Sequence, residues 1–370
     1  MTLIRPFKGW IASSDYCQRV PIKHIDSYSA EGIQRELSNN QHSFLHVLAP
    51  SITVNEELDL NERFSLVRER LMEQLYSGVY SPIDQESLWI YQIQSQRVNA
   101  TGVVGITPIA AYVQNTIKRH EKTKTSRRNT LATYLEEVGV HADPVVLSFS
   151  KHQNVFKSWC TEVTSTQKPH VSLTLENELH QLWQLRDSNR IKRIQQLIES
   201  NDSVYIVDGH HRIESSLYYA KNKKHPKIAI DEAHFLSFFI AEEDLSIQSF
   251  TKHFITTLNL EQGIKYIEQR ASLTVIDTLP TSDQHALVIN ETAFALSLKE
   301  PTTIADFERY LEDIPKKVET THRLTRLIFV PKTYTIDDLK QAAESKHPMS
   351  AKSTYIEPKL LTGLLIYPIS

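Results

Sequence analysis

Apolar positions along the chain fall into short runs whose spacing changes between two and roughly four residues, the mark of strands interleaved with helices. Phe44 to Leu48 reads as a strand of apolar residues preceded by the turn residues Asn39 and Asn40, and its alternation turns His46 away from Leu45 and Val47. Glu62 to Tyr76 places Phe64, Val67, Leu71 and Leu75 on one helical face, with Asn61 as cap and Gly78 at the end. Leu88 to Gln94 and Gly102 to Ile109 are rich in β-branched and aromatic residues and read as a hairpin. Further strands are predicted at Pro144 to Phe149, Ser203 to Val207, Phe235 to Ala241, Ala286 to Ile289, Ala293 to Leu298 and Arg326 to Val330. Helices are predicted over 187–200, capped by Asp187 or Ser188, and over 212–221, 260–270, 303–314 and 335–344, the last opened by a Thr335-x-x-Asp338 capping pattern. The mixture predicts an α+β or α/β fold rather than an all-helical or all-β one.

At 370 residues the chain is long for one core, so two closely packed subdomains or two domains are expected, with subdomains drawn at 1–163 and 164–370. Forty-one Lys and Arg against 44 Asp and Glu leave a net charge of -3, which provides no general attraction to polyanions and disfavours nucleic acid as a partner. Cys17 and Cys160 match no disulfide or zinc spacing, and no apolar run is of bilayer-spanning length, so a reducing, cytoplasmic location is expected and a membrane partner is not. Nine glycines in the whole chain leave no Gly-rich phosphate loop.

Two local patterns carry chemistry. Asp208-Gly209-His210-His211-Arg212 lies between a predicted buried strand and a helix whose inner face is Ile213, Leu217 and Tyr218. Backbone N–H groups at such a helix start, with the positive end of its dipole, attract anions. Gly209 permits a positive φ, Arg212 offers a planar fork to phosphate oxygens, and Asp208 can cap the helix or hold a metal or hydroxyl. The alternative is that Asp208 is only a cap, Gly209 only a turn, and the histidines surface polar groups. Adjacent histidines diverge on a strand or helix, which disfavours a metal on His210 and His211. The second pattern, residues 117–128, holds six Lys or Arg, one His and a single acid. Lys118 and Arg119 could neutralise phosphoryl charge and His120 or Glu121 could accept a hydroxyl proton, or the stretch is a solvated basic turn.

The phrase VYIVDGHHRIESSL at 204–217 resembles the signature of the uncharacterised family known as domain of unknown function 1015. HSFLHVLAP at 42–50, TGVVGI at 101–106, IKRHEKT at 117–123 and KSTYIEPKLLTGLLIYPI at 352–369 agree with it in order, so the resemblance spans nearly the whole chain. That family is in turn similar, through its DGHHR loop, to a broad group containing ParB proteins, sulfiredoxin and an archaeal free-serine kinase. The resemblance implies a ParB/serine-kinase-like nucleotide-binding core with a packed additional α+β subdomain. It implies a nucleotide, ATP or ADP with Mg2+ as a possible companion and no structural metal, together with a small phosphorylated substrate linked to serine or phosphoserine metabolism. On this basis Glu121, His120, Asp208 and His210 are the candidate catalytic groups. Gly209, His211, Arg212, Ser215, Lys118, Arg119, Thr123, Lys352, Ser353 and Thr354 are the candidate phosphate ligands, and Lys359 adds a donor if the C-terminal segment folds back. The expected activity is phosphotransfer to a small hydroxyl metabolite; the alternatives are a silent nucleotide-binding regulator or a ParB-like nucleic-acid-processing protein. The chain departs from the family where a Pro-Tyr-Asp turn would stand, at Val20 to Tyr28, and where Met349-Ser350-Ala351 lacks two prolines.

Overall fold

A computed structural model of the protein describes residues 2–52, 58–222, 230, 232–279, 283–302, 304–315, 325–345, 349 and 354–369. They divide into two compact units, one comprising 1–118, 123–246 and 357–370 and the other 119–122 and 247–356. In chain order the first unit contains β1 (Phe7–Ala12), α1 (Ala30–Asn39), α2 (Phe44–Ile52), α3 (Leu60–Tyr76), β2 (Tyr80–Gln94), β3 (Asn99–Pro108), α4 (Ile109–Val113) and β4 (Ile117–Lys118). It continues through α5 (Thr125–Val138), β5 (Val140–His141), β6 (Val145–Phe149), α6 (Gln153–Thr166), β7 (Val171–Leu175), β8 (Glu178–Leu185), α7 (Ser188–Glu199), β9 (Val204–Asp208), α8 (His210–Asn222) and β10 (His234–Ala241). A two-stranded ribbon of β11 (Ser246–Ser249) and β17 (Thr354–Glu357) belongs to the second unit except at its end residues Ser246 and Glu357. Between them that unit holds β12 (Lys252–Thr256), α9 (Leu260–Glu268), β13 (Ala271–Ile276), β14 (His285–Ile289), β15 (Thr292–Leu298), α10 (Ile304–Glu312), β16 (Thr325–Val330) and α11 (Ile336–Glu344). The chain ends in the first unit with β18 (Leu365–Pro368).

The fold is the mixed α and β type that the sequence predicts. The first unit is built on one eleven-stranded sheet in the order β4-β9-β6-β10-β3-β2-β1-β18-β5, with β8 also pairing β2 and β7 pairing β8. Parallel contacts occur at β10–β6 and β4–β9, whereas β6 and β9 run antiparallel. Leu88, Ile90, Val103, Leu147, Phe149, Phe235, Phe239 and Ile206 fill one core with Phe156, Trp159, Ile194, Ile198 and Ile213 from the helices. The expected subdomain boundary at 163/164 falls inside α6. In the second unit α9 and α10 pack Ile267, Phe307 and Leu311 on the antiparallel sheet β12-β16-β14-β15-β13.

The predicted hairpin is β2 and β3, in register from Trp89↔Val104 to Gln94↔Asn99. Asp187 caps α7, and Thr335 and Asp338 close the predicted capping box of α11. The predicted helix over 303–314 is α10; Thr303 lies outside the described residues. Two expectations are corrected. Phe44 to Leu48 is helical, because Phe44, Leu45 and Val47 are buried on a helix that starts just after Ser43; a five-residue apolar run does not by itself distinguish strand from helix. His46 therefore lies on α2, where its Nε2 meets the Asn40 carbonyl at 3.0 Å. The cap of α3 is Asp59, not Asn61, and its carboxylate accepts from Glu62 N–H while Glu62 Oε2 accepts from Asp59 N–H.

Two positions dominate local stability. Gly363 has φ +79°, and a Cβ there would lie 2.4 Å from Phe44 Cγ, so backbone conformation and close approach both require glycine. In the second unit Glu308 is 0% exposed, receives the Tyr334 hydroxyl at 2.8 Å and pairs with Lys252 Nζ at 2.9 Å. Removing the cation takes away the ion-pair partner of a fully buried carboxylate. Lys252→Ala is therefore expected to destabilise by about 3 kcal/mol, read as a lower urea midpoint. Gly363→Val should cost roughly 3 kcal/mol or more by strain and overpacking. A midpoint unchanged in either variant would contradict the corresponding packing.

Candidate phosphate site at the start of α8

The register of β6 against β9 assembles the site. Val146 lies opposite Asp208, so the residues entering β6, Asp143 and Pro144, stand beside the end of β9 although they are more than sixty positions earlier in the chain. Gly209 then turns the chain with φ +96°, and α8 begins at His210, two residues before its predicted start.

Arg212, one turn into α8, folds back over this turn. Its Nη1 pairs with Asp143 Oδ1 at 2.5 Å and donates to the Pro144 carbonyl, while Nη2 donates to Asp208 Oδ2 at 2.9 Å. Lys359, just after β17, reaches the other oxygen of Asp208 at 3.4 Å, so the C-terminal segment does bring a cation here. His24 Nε2 is 4.0 Å from Asp143 Oδ2. Burial acts to raise the Asp208 pKa, but Arg212 and Lys359, with His24 and His210, outweigh it and hold the carboxyl well below the usual carboxylate range. Asp208 is thus an ionised anchor.

A second helix start meets the first. Lys124 N–H donates to His211 Nε2 at 2.9 Å, which places the imidazole proton on Nδ1. Burial, then Arg127 and Lys124, push the His211 pKa down. Lys124 is the N-cap of α5 with no side-chain cap bond, and neither α5 nor α8 has an acid in its first turn. Arg127 is paired with Asp26 at 3.1 Å, and Arg128 lies 4.5 Å over the Tyr218 ring, tying α5 to α8.

The other predicted residues lie on several elements. Lys118 is on β4, paired in register with Tyr205. Thr123 immediately precedes Lys124 in the first unit. Ser215 is 1% exposed and its hydroxyl donates to the Arg212 carbonyl at 2.8 Å, so it serves its own helix. His210 is buried. Arg119, His120 and Glu121 belong to the second unit, where the His120 carbonyl accepts from Met349 N–H at 2.7 Å and Glu121 bridges to Met349. Thr354 opens β17; Lys352 and Ser353 lie outside the described residues. Asp143, His24 and Asp26 escaped sequence reasoning; the one local cue for Asp143 was the Asp-Pro step before a predicted strand.

The first unit also encloses a buried imidazole. His180 Nδ1 is 2.9 Å from the Tyr91 hydroxyl, and burial, helped by Lys23, lowers its pKa from 6.5 to about 4. His141 falls to about 3 by burial and the nearby Arg212 charge. Both histidines are neutral in the native state at pH values where the unfolded chain has bound protons. Stability should therefore fall as pH drops from about 6.5 toward 4. His180→Gln should flatten the fall of melting temperature across that window; an identical slope would exclude His180 as a contributor.

Comparison with known proteins adds the following. The model of a family described as "Protein of unknown function (DUF1015)" matches residues 4–345. None of the curated proteins matches the chain. Among solved structures, "SbnI with C-terminal truncation from Staphylococcus aureus" superposes with a TM-score of 0.42 at 10% identity, covering 72% of this chain and 87% of that one. "Free serine kinase in complex with AMP" gives 0.36 at 13% identity over 72% and 90%. A "Conserved hypothetical protein from Pyrococcus furiosus" gives 0.35 at 11% identity over 69% and 90%. Among the described residues no helix is long and apolar enough to cross a membrane.

Proposed function

The chain belongs to the DUF1015 family of proteins of unknown function, and on the chemistry of its site we propose that it binds the phosphate groups of a nucleotide, ADP or ATP, at the starts of α5 and α8. The observation that carries this reading is the Lys124 N–H to His211 bond, which joins two helix N-termini whose first turns contain no acid. Backbone N–H groups and the positive dipole ends of two helix starts make such a place favourable for negative charge. Lys124, Arg212 and Lys359 add cations.

The finer reading is phosphoryl transfer to a small hydroxyl metabolite such as serine. The hydroxyl oxygen would attack the terminal phosphorus as the bond to the nucleotide's bridging oxygen breaks, with Arg212 and the helix starts taking up the developing charge. Residue chemistry nominates Glu121 or His120 as acceptor of the hydroxyl proton. Asp208, held far below neutrality by its cations, is a poor base and a good anchor. Magnesium would enter with the nucleotide.

Melting of wild type and Arg212→Ala with ADP, ATP, serine and phosphoserine, with and without magnesium, checks the proposal. A nucleotide at about 100 times its Kd should stabilise the wild type by about 2.7 kcal/mol and the variant far less. Binding accompanied by nucleotide-dependent phosphorylation of a hydroxyl compound supports the kinase reading, and binding without turnover supports a regulatory one. No shift with any ligand would overturn both.

A further inference from the structure

The acids that surround Arg212 pose a question of sign, because a carboxylate on a phosphate-binding arginine can compete with the ligand or aim the side chain at it. The guanidinium geometry distinguishes these roles. Of the five N–H donors of Arg212, one on Nη1 is used by the Pro144 carbonyl, with Asp143 Oδ1 in ion-pair contact with the same nitrogen, and one on Nη2 by Asp208. Nε–H makes no hydrogen bond among the described residues, and Nε–H with an Nη2–H has the spacing that grips two oxygens of one phosphate. The flat face of the guanidinium packs on the turn: a Cβ built on Gly209 would lie 3.0 Å from Nε, 3.1 Å from Cζ and 3.2 Å from Nη2. Nη1 is tied to the entry of β6, and Nε lies where the chain passes from β9 into α8.

We infer that Asp143 is a positioning residue which, with Asp208 and the Pro144 carbonyl, holds Arg212 against the Gly209 turn so that Nε and Nη2 can serve as a bidentate receptor for a single phosphate group. The inference rests on the phosphate-binding reading. Asp143 is suited to the task by its own setting: it is held at the start of β6 by the strand register, and its other oxygen points toward His24 at 4.0 Å. The ligand class is a compound ending in a phosphate or diphosphate, whose two oxygens match Nε and Nη2.

Calorimetric titration of the full chain with inorganic pyrophosphate tests it. Arg212→Lys, which retains the charge and loses the fork, should weaken binding about tenfold. Asp143→Ala should weaken it by a similar factor, whereas Asp143→Asn, whose amide oxygen can still accept from Nη1, should stay within about threefold of wild type. In an Arg212→Ala background Asp143→Ala should have no further effect, an outcome that a general structural role would not produce. Should Asp143→Ala fail to fold by circular dichroism, Asp143→Glu, which keeps the charge and shifts the acceptor, replaces it with the same expected weakening. Pyrophosphate binding that is unchanged or tighter in Asp143→Ala, or in Asp143→Glu, while Arg212→Lys is weakened would overturn the inference and leave the phosphate site standing. If wild type binds neither pyrophosphate nor a nucleotide, the phosphate reading itself falls and the inference with it.

Discussion

The antiparallel register between β6 and β9 is the constraint on which the site depends. Because side chains in a strand alternate with a period of two, slipping that register by one residue would turn Asp208 to the other face and separate it from the Asp143–Pro144 entry. Arg212 would then lose the partners that hold Nη1 and Nη2. The register is fixed by burial on the neighbouring positions, where Ile206 and Leu147 are 0% exposed in the core that also anchors Ile213 of α8. Packing of apolar residues thus sets the geometry of a polar cluster a few ångströms away.

Charge at the site is balanced rather than simply positive. Asp143 and Asp208 offset Arg212 and Lys359, and Asp26 offsets Arg127. Much of the charge there is thus paired within the chain. The attraction for an anion comes instead from backbone dipoles at two helix starts and from N–H donors already oriented by carboxylates. Such preorganised groups lose little freedom when a ligand binds.

Elements with strong periodic or capping signals were legible in the sequence: the β2–β3 hairpin, β9 with α8, and the Thr335 box. The run at Phe44 was misread because five apolar residues carry no period of their own, and its packing against Gly363 is a contact some 320 positions away in the chain. Within residues 117–128 the concentration of charge hid the start of α5, whose inner residues Ala132, Leu135 and Val138 come only later. Sequence reasoning located the Asp208 to Arg212 turn correctly as the junction of strand and helix. It could not find Asp143, because the link between that residue and Arg212 is made by strand pairing, and it treated 117–128 as one group although residues 119–122 belong with the second unit and Lys124, Arg127 and Arg128 with the first.

Hydrogen exchange of the full chain with and without saturating ADP addresses the central claim most directly, since it reports on the backbone donors themselves. The account predicts slowed exchange in two peptides, one covering 123–128 and the other 208–213. Nucleotide binding with protection elsewhere, and none at these two helix starts, would contradict it.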